Sequence, residues 1–256
     1  MNASVGQSLY ILRETKVLYK KPAILWSGGK DSTAILALSR EAFFGTVPFP
    51  AIHIDNGIDF PETYRLRDQL RQEWGIDMKV AHSIIVEDPV SGVSCCGQNK
   101  TDAIRKVLKE EGYDALIVGI RRDEHGVRAK ERVFSPRDDK WQWNWKEQPV
   151  EAWGYAPKEE ADHYRVHPIL DWTEKDVWEY TDERAIPVNP LYFSSNGQRF
   201  RSLGCTRCTI SVPSQATTIK EILTELSTSQ TEERTGRAQD KETEAVMERL
   251  RILGYM

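Results

Sequence analysis

Short apolar runs alternate with longer amphipathic stretches through the first half of the chain. Ala23-Ile24-Leu25-Trp26 is uninterrupted apolar sequence that stops at Ser27-Gly28-Gly29, and a helix-like stretch from Ser32 to Phe43 follows. A second run, Ala51–Ile54, breaks at Asp55-Asn56-Gly57. Pro61 to Trp74 then carries Tyr64, Leu66, Leu70 and Trp74, mostly at helical separations. Lys79–Val86 predicts a third strand. Thr101–Glu111 predicts a helix with Ile104, Val107 and Leu108 on one face, and Ala115–Ile120 a buried strand. Strands this short, alternating with helices of ten or more residues, predict an α/β fold: a doubly wound parallel sheet with helices on both faces. Ligands of such sheets collect outside the carboxyl ends of the strands. Three of those ends fall at Ser27-Gly28-Gly29, Asp55-Asn56-Gly57 and Gly119-Ile120-Arg121-Arg122, which points to one shared site.

The texture changes at about Arg121. Residues 121–160 are rich in charge and tryptophan, with no clear period. Asp171–Tyr180 predicts a capped helix, with Thr173 as the cap and Asp176 three residues on. Residues 186–204 read as loop, punctuated by Pro187, Pro190 and Gly197; Thr217–Leu226 and Glu242–Leu253 predict helices in a polar tail. The expected organisation is a nucleotide-binding α/β domain over 1–185 and an extension over 186–256 that folds back over the strand ends. No internal repeat is visible.

Composition narrows the class. Of 256 residues 39% are hydrophobic and 29% charged, the mark of a globular chain and not a disordered one. Thirty-five Lys and Arg against 39 Asp and Glu give a net charge of −4, which excludes a globally basic nucleic-acid wrapper but leaves room for a local basic face. Apolar runs such as Ala115–Ile120 are far too short to span a membrane. Met1–Lys20 has no apolar core of a leader peptide, so the expected location is the cytoplasm. Four cysteines, Cys95, Cys96, Cys205 and Cys208, are too few for a disulfide scaffold.

Ser27-Gly28-Gly29-Lys30-Asp31-Ser32 joins a strand to a helix. Its glycines let backbone approach an anion, successive N–H groups face it at the helix N-terminus, and Lys30, Ser27 and Ser32 add a point charge and hydroxyls. Asp31 is the odd member, because a carboxylate beside phosphates calls for Mg²⁺. The plain alternative is a strand–helix turn that tolerates glycine. The hexapeptide resembles the PP-loop of the adenine nucleotide α-hydrolase and PAPS reductase superfamily. The resemblance implies ATP as cofactor, opened at its α-phosphate so that AMP passes to an acceptor and pyrophosphate leaves. Asp55 would then serve Mg²⁺ or a ribose hydroxyl, and Gly119 would belong to the same nucleotide site.

The segment Gly119 to Arg132 holds Arg121, Arg122, Arg128, Lys130 and Arg132 after a predicted strand. Arginines there can clamp oxyanions in a bidentate manner and spread the charge of a pentavalent phosphate; the alternative is a solvated, salt-bridged face. Ser135–Trp143, Glu151-Ala152-Trp153, Asp171–Trp178, Arg199–Cys205 and Thr231–Arg237 closely resemble the small subunit family of sulfate adenylyltransferase. That likeness spans nearly the whole chain. It implies transfer of AMP to sulfate beside a GTPase large subunit, with Lys30, Arg121 and Arg122 catalytic and Arg128 and Arg132 on the nucleotide.

Adjacent cysteines diverge, which suits a multi-iron cluster better than one tetrahedral zinc; zinc and plain reduced thiols stand as the other two readings. Cys95-Cys96-Gly97-Gln98-Asn99-Lys100 with Cys205-Thr206-Arg207-Cys208 resembles the 4Fe–4S motif of adenylyl-sulfate reductases, which implies Lys100 between cluster and nucleotide anion. No cysteine follows Cys208, so a thiosulfonate on a C-terminal cysteine is not expected. The cysteines also fit ATP-activated sulfur transfer onto a nucleic-acid backbone, as in DNA phosphorothioation ATP pyrophosphatases, with a cysteine desulfurase as partner. A nucleotide-binding redox sensor without catalysis is the third class. A homo-oligomer is compatible with each. Among the histidines, His53 precedes Asp55 in a strand-end segment that resembles the nucleotide-contacting one of the family and His125 lies in the arginine segment, whereas His82, His163 and His167 belong to no constellation; for any one of them a structural or surface role is the plainer reading.

Overall fold

The computed structural model describes residues 3–83, 96–124, 128, 131–144, 146, 161–228 and 233. In chain order these form α1 (Ala3–Leu18), β1 (Pro22–Trp26), α2 (Lys30–Ala42), β2 (Ala51–Asp55), α3 (Pro61–Trp74), β3 (Met78–His82), α4 (Cys96–Glu111), β4 (Ala115–Val118), β5 (Phe134–Arg137), β6 (His163–Val166) and α5 (Glu174–Glu183). A short ribbon of β7 (Gln198–Arg199) and β8 (Val212–Pro213) and helix α6 (Ile219–Thr228) follow.

The sheet runs β3-β2-β1-β4-β6-β5. Every pair is parallel except β5 with β6, which is antiparallel. Chain order reverses between β1 and β4, so the crevice at their carboxyl ends is the topological switch point where such sheets take ligands. Alternation along the strands builds a core on each face. Ile24 and Trp26 of β1 and Ile117 of β4 pack against Leu12, Ile35, Leu66 and Val177, from α1, α2, α3 and α5. Ala23 and Leu116 face the other way, onto Ala103 and Leu108 of α4, with Ile104 and Val107 beside them. The segment after residue 186 builds a third cluster on α5, in which Leu203, Ala216 and Ile222 surround Trp178 and Tyr192.

The expected cap of α5 is present: Thr173 Oγ1 accepts from the Asp176 N–H at 3.2 Å, and the Asp176 carboxylate accepts from the Thr173 N–H at 2.7 Å. Asp123 accepts from the Glu174 N–H at 2.7 Å and ties the same helix start to the arginine segment.

Four differences from the sequence reading have physical causes. Helix α1 went unassigned, although Val5, Leu9 and Leu12 recur at helical spacing and are buried. Strands β5 and β6 lie where no period is visible, because buried Ser135, Arg137 and His163 and half-buried Arg165 interrupt what would otherwise be apolar runs. Pro136 is tolerated there because β5 is the edge strand. Helix α4 begins at Cys96, five residues earlier than expected. The span read as loop contains a 3-10 turn, Pro190–Tyr192, and β7. Residues 84–86 of the third expected strand and the expected helix Glu242–Leu253 lie outside the described residues. Among the described residues no helix is long and apolar enough to cross a membrane.

His53 on β2 and His167 after β6 are buried, and burial pushes both down to about 4. An unfolded histidine titrates near 6.5, so between about pH 6.5 and 4 the unfolded chain binds more protons than the folded one. Stability is therefore full above pH 6.5 and falls as pH drops, with a slope up to about 1.4 kcal/mol per pH unit for each histidine. Urea midpoints at pH 7.5, 6 and 5 check this, and His53→Gln should flatten the trend; an unmoved midpoint would contradict it. Thr173→Ala, by removing the cap, should cost about 1 kcal/mol in the same titration.

Candidate active site

After Trp26 the chain turns through Ser27-Gly28-Gly29 and enters α2 at Lys30. Gly28 has φ +77°, and a Cβ there would lie 2.5 Å from Thr63 Cγ2. Both facts restrict the position to glycine. Gly29 precedes α2 with no side-chain cap, and the Lys30 N–H donates to the Tyr192 hydroxyl at 2.9 Å. Ser32 Oγ donates to the Gly29 carbonyl at 3.0 Å and accepts from the Ser27 N–H at 3.2 Å, which fixes the turn. Across the crevice, a Cβ on Gly119 would come within 3.0 Å of the Asp31 carbonyl carbon and the Ser32 nitrogen. The missing side chain lets the end of β4 lie this close to the loop backbone; any Cβ would push the two apart.

Two cations are fully buried at this point. Lys30 Nζ pairs with the Glu233 carboxylate and lies 3.5 Å from Asp31 and 4.0 Å from Glu174. Arg121 pairs with Asp31, with Asp123 at 2.9 Å, and with the other oxygen of Glu233. Glu233 thus bridges both. Burial alone would raise its pKa, but Lys30 and Arg121 outweigh burial and hold the carboxyl well below the usual range. Burial works against the charge of Arg121 too, and Glu233, Asp123 and Glu124 keep it protonated. Glu174 completes the surroundings by accepting from Arg201 at 2.9 Å.

A cavity of about 380 Å³ opens beside the loop. Ser27, Gly29, Asp31, Ser32 and Gly119 line it, together with Lys100, Arg128, Trp141, Arg165, Tyr192 and Cys208. Most of the expected phosphate-loop residues therefore meet there, and Lys100 and Arg128 join them. Arg128 pairs with Glu124. Lys100 lies 4.0 Å from Asp59, whose pKa burial raises.

Cys205 and Cys208 place their sulfurs 3.2 Å apart in a tight turn, where the Cys208 and Thr209 N–H groups both donate to the Cys205 carbonyl. Cys96 opens α4 one turn ahead of Lys100. Cys95 and the side chain of Cys96 lie outside the described residues, so the expected quartet is described at two members. Among the described residues no three His, Cys, Asp or Glu side chains are arranged to hold a metal ion.

Other expected site residues lie elsewhere. Arg122 turns away from Arg121, as successive side chains beyond a strand do, and pairs with Asp171 and the Glu131 carbonyl. Asp55 does not line the cavity; its carboxylate accepts from the Gly57 N–H and the Tyr64 hydroxyl, both at 2.8 Å. Burial would raise its pKa, and those two donors hold it below the ordinary value. Arg132 does not line the cavity either, and its carbonyl is hydrogen-bonded to His167. Glu233, Glu174, Tyr192 and Arg165 were not singled out as site residues. Glu233 had a signal, since it falls inside the distinctive Thr231–Arg237 stretch; the others are brought in by tertiary packing alone.

A model of the phosphoadenosine phosphosulfate reductase domain matches residues 21–211. The chain is similar to sulfate adenylyltransferase subunit 2 of Pseudomonas aeruginosa PAO1, at 36% identity over 98% of this chain and 96% of that protein. It is equally similar to the protein of the same name from Stutzerimonas stutzeri, with the same identity and coverage. In fold it is similar to the phosphoadenylyl-sulfate (PAPS) reductase of Candida auris, with TM-score 0.55 and 20% identity over 80% of this chain and 90% of that one. It is also similar in fold to the FMN adenylyltransferase of Candida glabrata in complex with ATP, with TM-score 0.57 and 18% identity over 81% and 62% of the two chains.

Gly28→Ala should destabilise the chain by about 1–3 kcal/mol, from backbone strain together with the contact on Thr63. Adding Thr63→Ser, which removes the methyl but keeps the hydroxyl that accepts from Asn189, should restore only the contact share. Urea denaturation of the single and double variants checks this, and a neutral Gly28→Ala would contradict it.

Proposed function

The chain belongs to the phosphoadenosine phosphosulfate reductase domain family, and from that premise we propose that it is an ATP-dependent adenylyltransferase of sulfur metabolism that passes AMP from ATP to sulfate and releases pyrophosphate. The observation that carries this reading is the placement of Lys30 and Arg121, both fully buried and joined through Glu233, at the start of α2; neither lines the cavity between β1 and β4, but their loop neighbours Ser27, Gly29, Asp31 and Ser32 do. The sulfate adenylyltransferase subunit 2 relatives, at 36% identity over nearly the full length, support the same acceptor.

In this reading the Ser27–Ser32 loop takes the departing pyrophosphate against its backbone N–H groups and the positive end of α2. Lys30 and Arg121, buried beside the loop, stabilise charge as it builds on the phosphates, and Arg128 and Lys100 do so from the cavity lining. Positioning and charge stabilisation suffice, and no protein nucleophile is needed for the adenylyl step. Asp31 is the carboxylate beside the loop and fits a magnesium ion, which would supply further positive charge to the phosphates. The entering phosphates compete with Glu233 for the same two cations. The partner is a large subunit of the GTPase type, in line with relatives that are named as one subunit of an assembly.

A second reading is favoured by one observation: the Cys205 and Cys208 thiols converge at 3.2 Å, and Cys208 lines the same cavity as the loop. Their donor set and spacing fit a 4Fe–4S cluster completed by Cys95 and Cys96, with Lys100 between cluster and nucleotide. A cluster there would supply sulfur-transfer or redox chemistry, with a cysteine desulfurase as partner and a nucleic-acid backbone as acceptor.

For the first reading, pyrophosphate release by the full chain with its large subunit should require sulfate. Lys30→Ala should lower that rate by about 10²-fold or more. Release indifferent to sulfate, or unchanged in Lys30→Ala, would overturn it. For the second, anaerobic protein should contain four irons and four sulfides per chain, lost in Cys205→Ser; iron-free protein after reconstitution would leave the cysteines outside the chemistry.

A further inference from the structure

The cavity has a second positive pole. Arg165 stands within β6, opposite Leu116 of β4, and lines the cavity wall beside Leu116, Val118 and Trp141. The neighbouring arginines all have carboxylates. Arg137 meets Glu131 at 2.9 Å, Arg105 meets Asp102 at 3.7 Å, and Arg128 meets Glu124. Arg165 has no carboxylate within ion-pair distance among the described residues, and its buried Nε makes no hydrogen bond. Burial first, and then the positive Arg137, Arg128 and Arg105, with Glu131 opposing, press its pKa down to about 10. A half-buried cation left in that condition, its Nε out of reach of solvent, gains by meeting an anion.

The guanidinium is also held in place. It lies over the Trp141 ring, 5.6 Å from its centroid, and Arg105 lies 5.4 Å from the same centroid. Trp141 itself sits at φ +69°, a conformation unfavourable for so large a side chain. The turn that keeps it there is bonded by the Trp141 N–H to the Asp138 carbonyl at 2.9 Å, and by the Gln142 N–H to the Asp138 carboxylate at 2.8 Å.

We propose that Arg165, stacked on Trp141, binds the oxyanion acceptor, a tetrahedral dianion of the sulfate class, while the Ser27–Ser32 loop holds ATP at the other pole. The inference rests on the adenylyl-transfer reading: that reaction brings two separate anions together, and the loop with Lys30 and Arg121 accounts for one. An acceptor oxygen bonds to the α-phosphorus, the α–β phosphoanhydride bond breaks, and pyrophosphate leaves with the electron pair. Arg165 keeps its proton throughout and holds the acceptor by charge-assisted hydrogen bonds.

Calorimetric binding of adenylyl sulfate and of AMP to the full chain tests this without turnover. Wild type should bind adenylyl sulfate more tightly than AMP. Arg165→Gln should lose about tenfold or more of the adenylyl sulfate affinity with AMP binding unchanged, and Arg165→Lys should keep part of it. In turnover, the KM for sulfate should rise while the KM for ATP stays fixed. Equal losses for both ligands, or no loss in either variant, would overturn the role of Arg165 and leave the adenylyl-transfer reading standing. A wild-type chain that neither prefers adenylyl sulfate to AMP nor needs sulfate for pyrophosphate release would overturn both. If Arg165→Gln does not fold, Arg165→Lys carries the same comparison.

Discussion

Lys30 and Arg121 are buried together at the start of α2, and the fold tolerates them because Glu233 bridges the pair while Asp31 touches both. At an effective dielectric near 20, two unit charges 4 Å apart interact by about 4 kcal/mol. Leaving one buried cation without its partner costs about 3–5 kcal/mol. The arrangement therefore holds as a group or not at all. It also sets the condition on the proposed nucleotide: an anion that is to meet these two cations would have to exchange with the Glu233 carboxylate, which already pairs with both.

Everything around that group serves to bring it together. Gly28 permits the turn that starts α2 against Thr63, and Gly119 lets the end of β4 close to within contact of Asp31 and Ser32. Asp123 reaches from the Arg121 segment to the first amide of α5, so Glu174 and Arg201 are held in register with Lys30. The segment after 186 contributes Tyr192 to the loop and the cysteine turn to the cavity wall. The antiparallel pair β5–β6 extends the sheet past the switch point and carries Arg165 to the far side of the same cavity. A doubly wound sheet supplies the first pole in the usual place; the edge extension supplies the second.

Strands β1, β2 and β4 were legible because they are almost wholly buried and so read as apolar runs, each followed within two residues by glycine. The Thr173–Asp176 cap was legible for a similar reason: local chemistry determines it. Strands β5 and β6 were not, since Ser135, Arg137, His163 and Arg165 interrupt the apolar residues Phe134, Tyr164 and Val166 that they send into the core, and no apolar run results. The loop Ser27–Ser32 could be expected between a strand and a helix, where the structure has it, but Arg121 and Arg122 could not be told apart. Only the strand geometry turns one inward to Asp31 and the other outward to Asp171. Arg165 had no signal, because what marks it is the lack of a carboxylate partner among the described residues, a property of the packed molecule.

The central claim is that ATP bound at the Ser27–Ser32 loop is cleaved between its α- and β-phosphates with sulfate as the acceptor. Phosphorus NMR of the full chain and its large subunit, incubated with ATP, Mg²⁺ and sulfate, reads this directly. The account predicts pyrophosphate together with an adenylyl-sulfate anhydride resonance, both absent when sulfate is withheld. Formation of ADP and inorganic phosphate would place the broken bond at the γ-phosphate and contradict it.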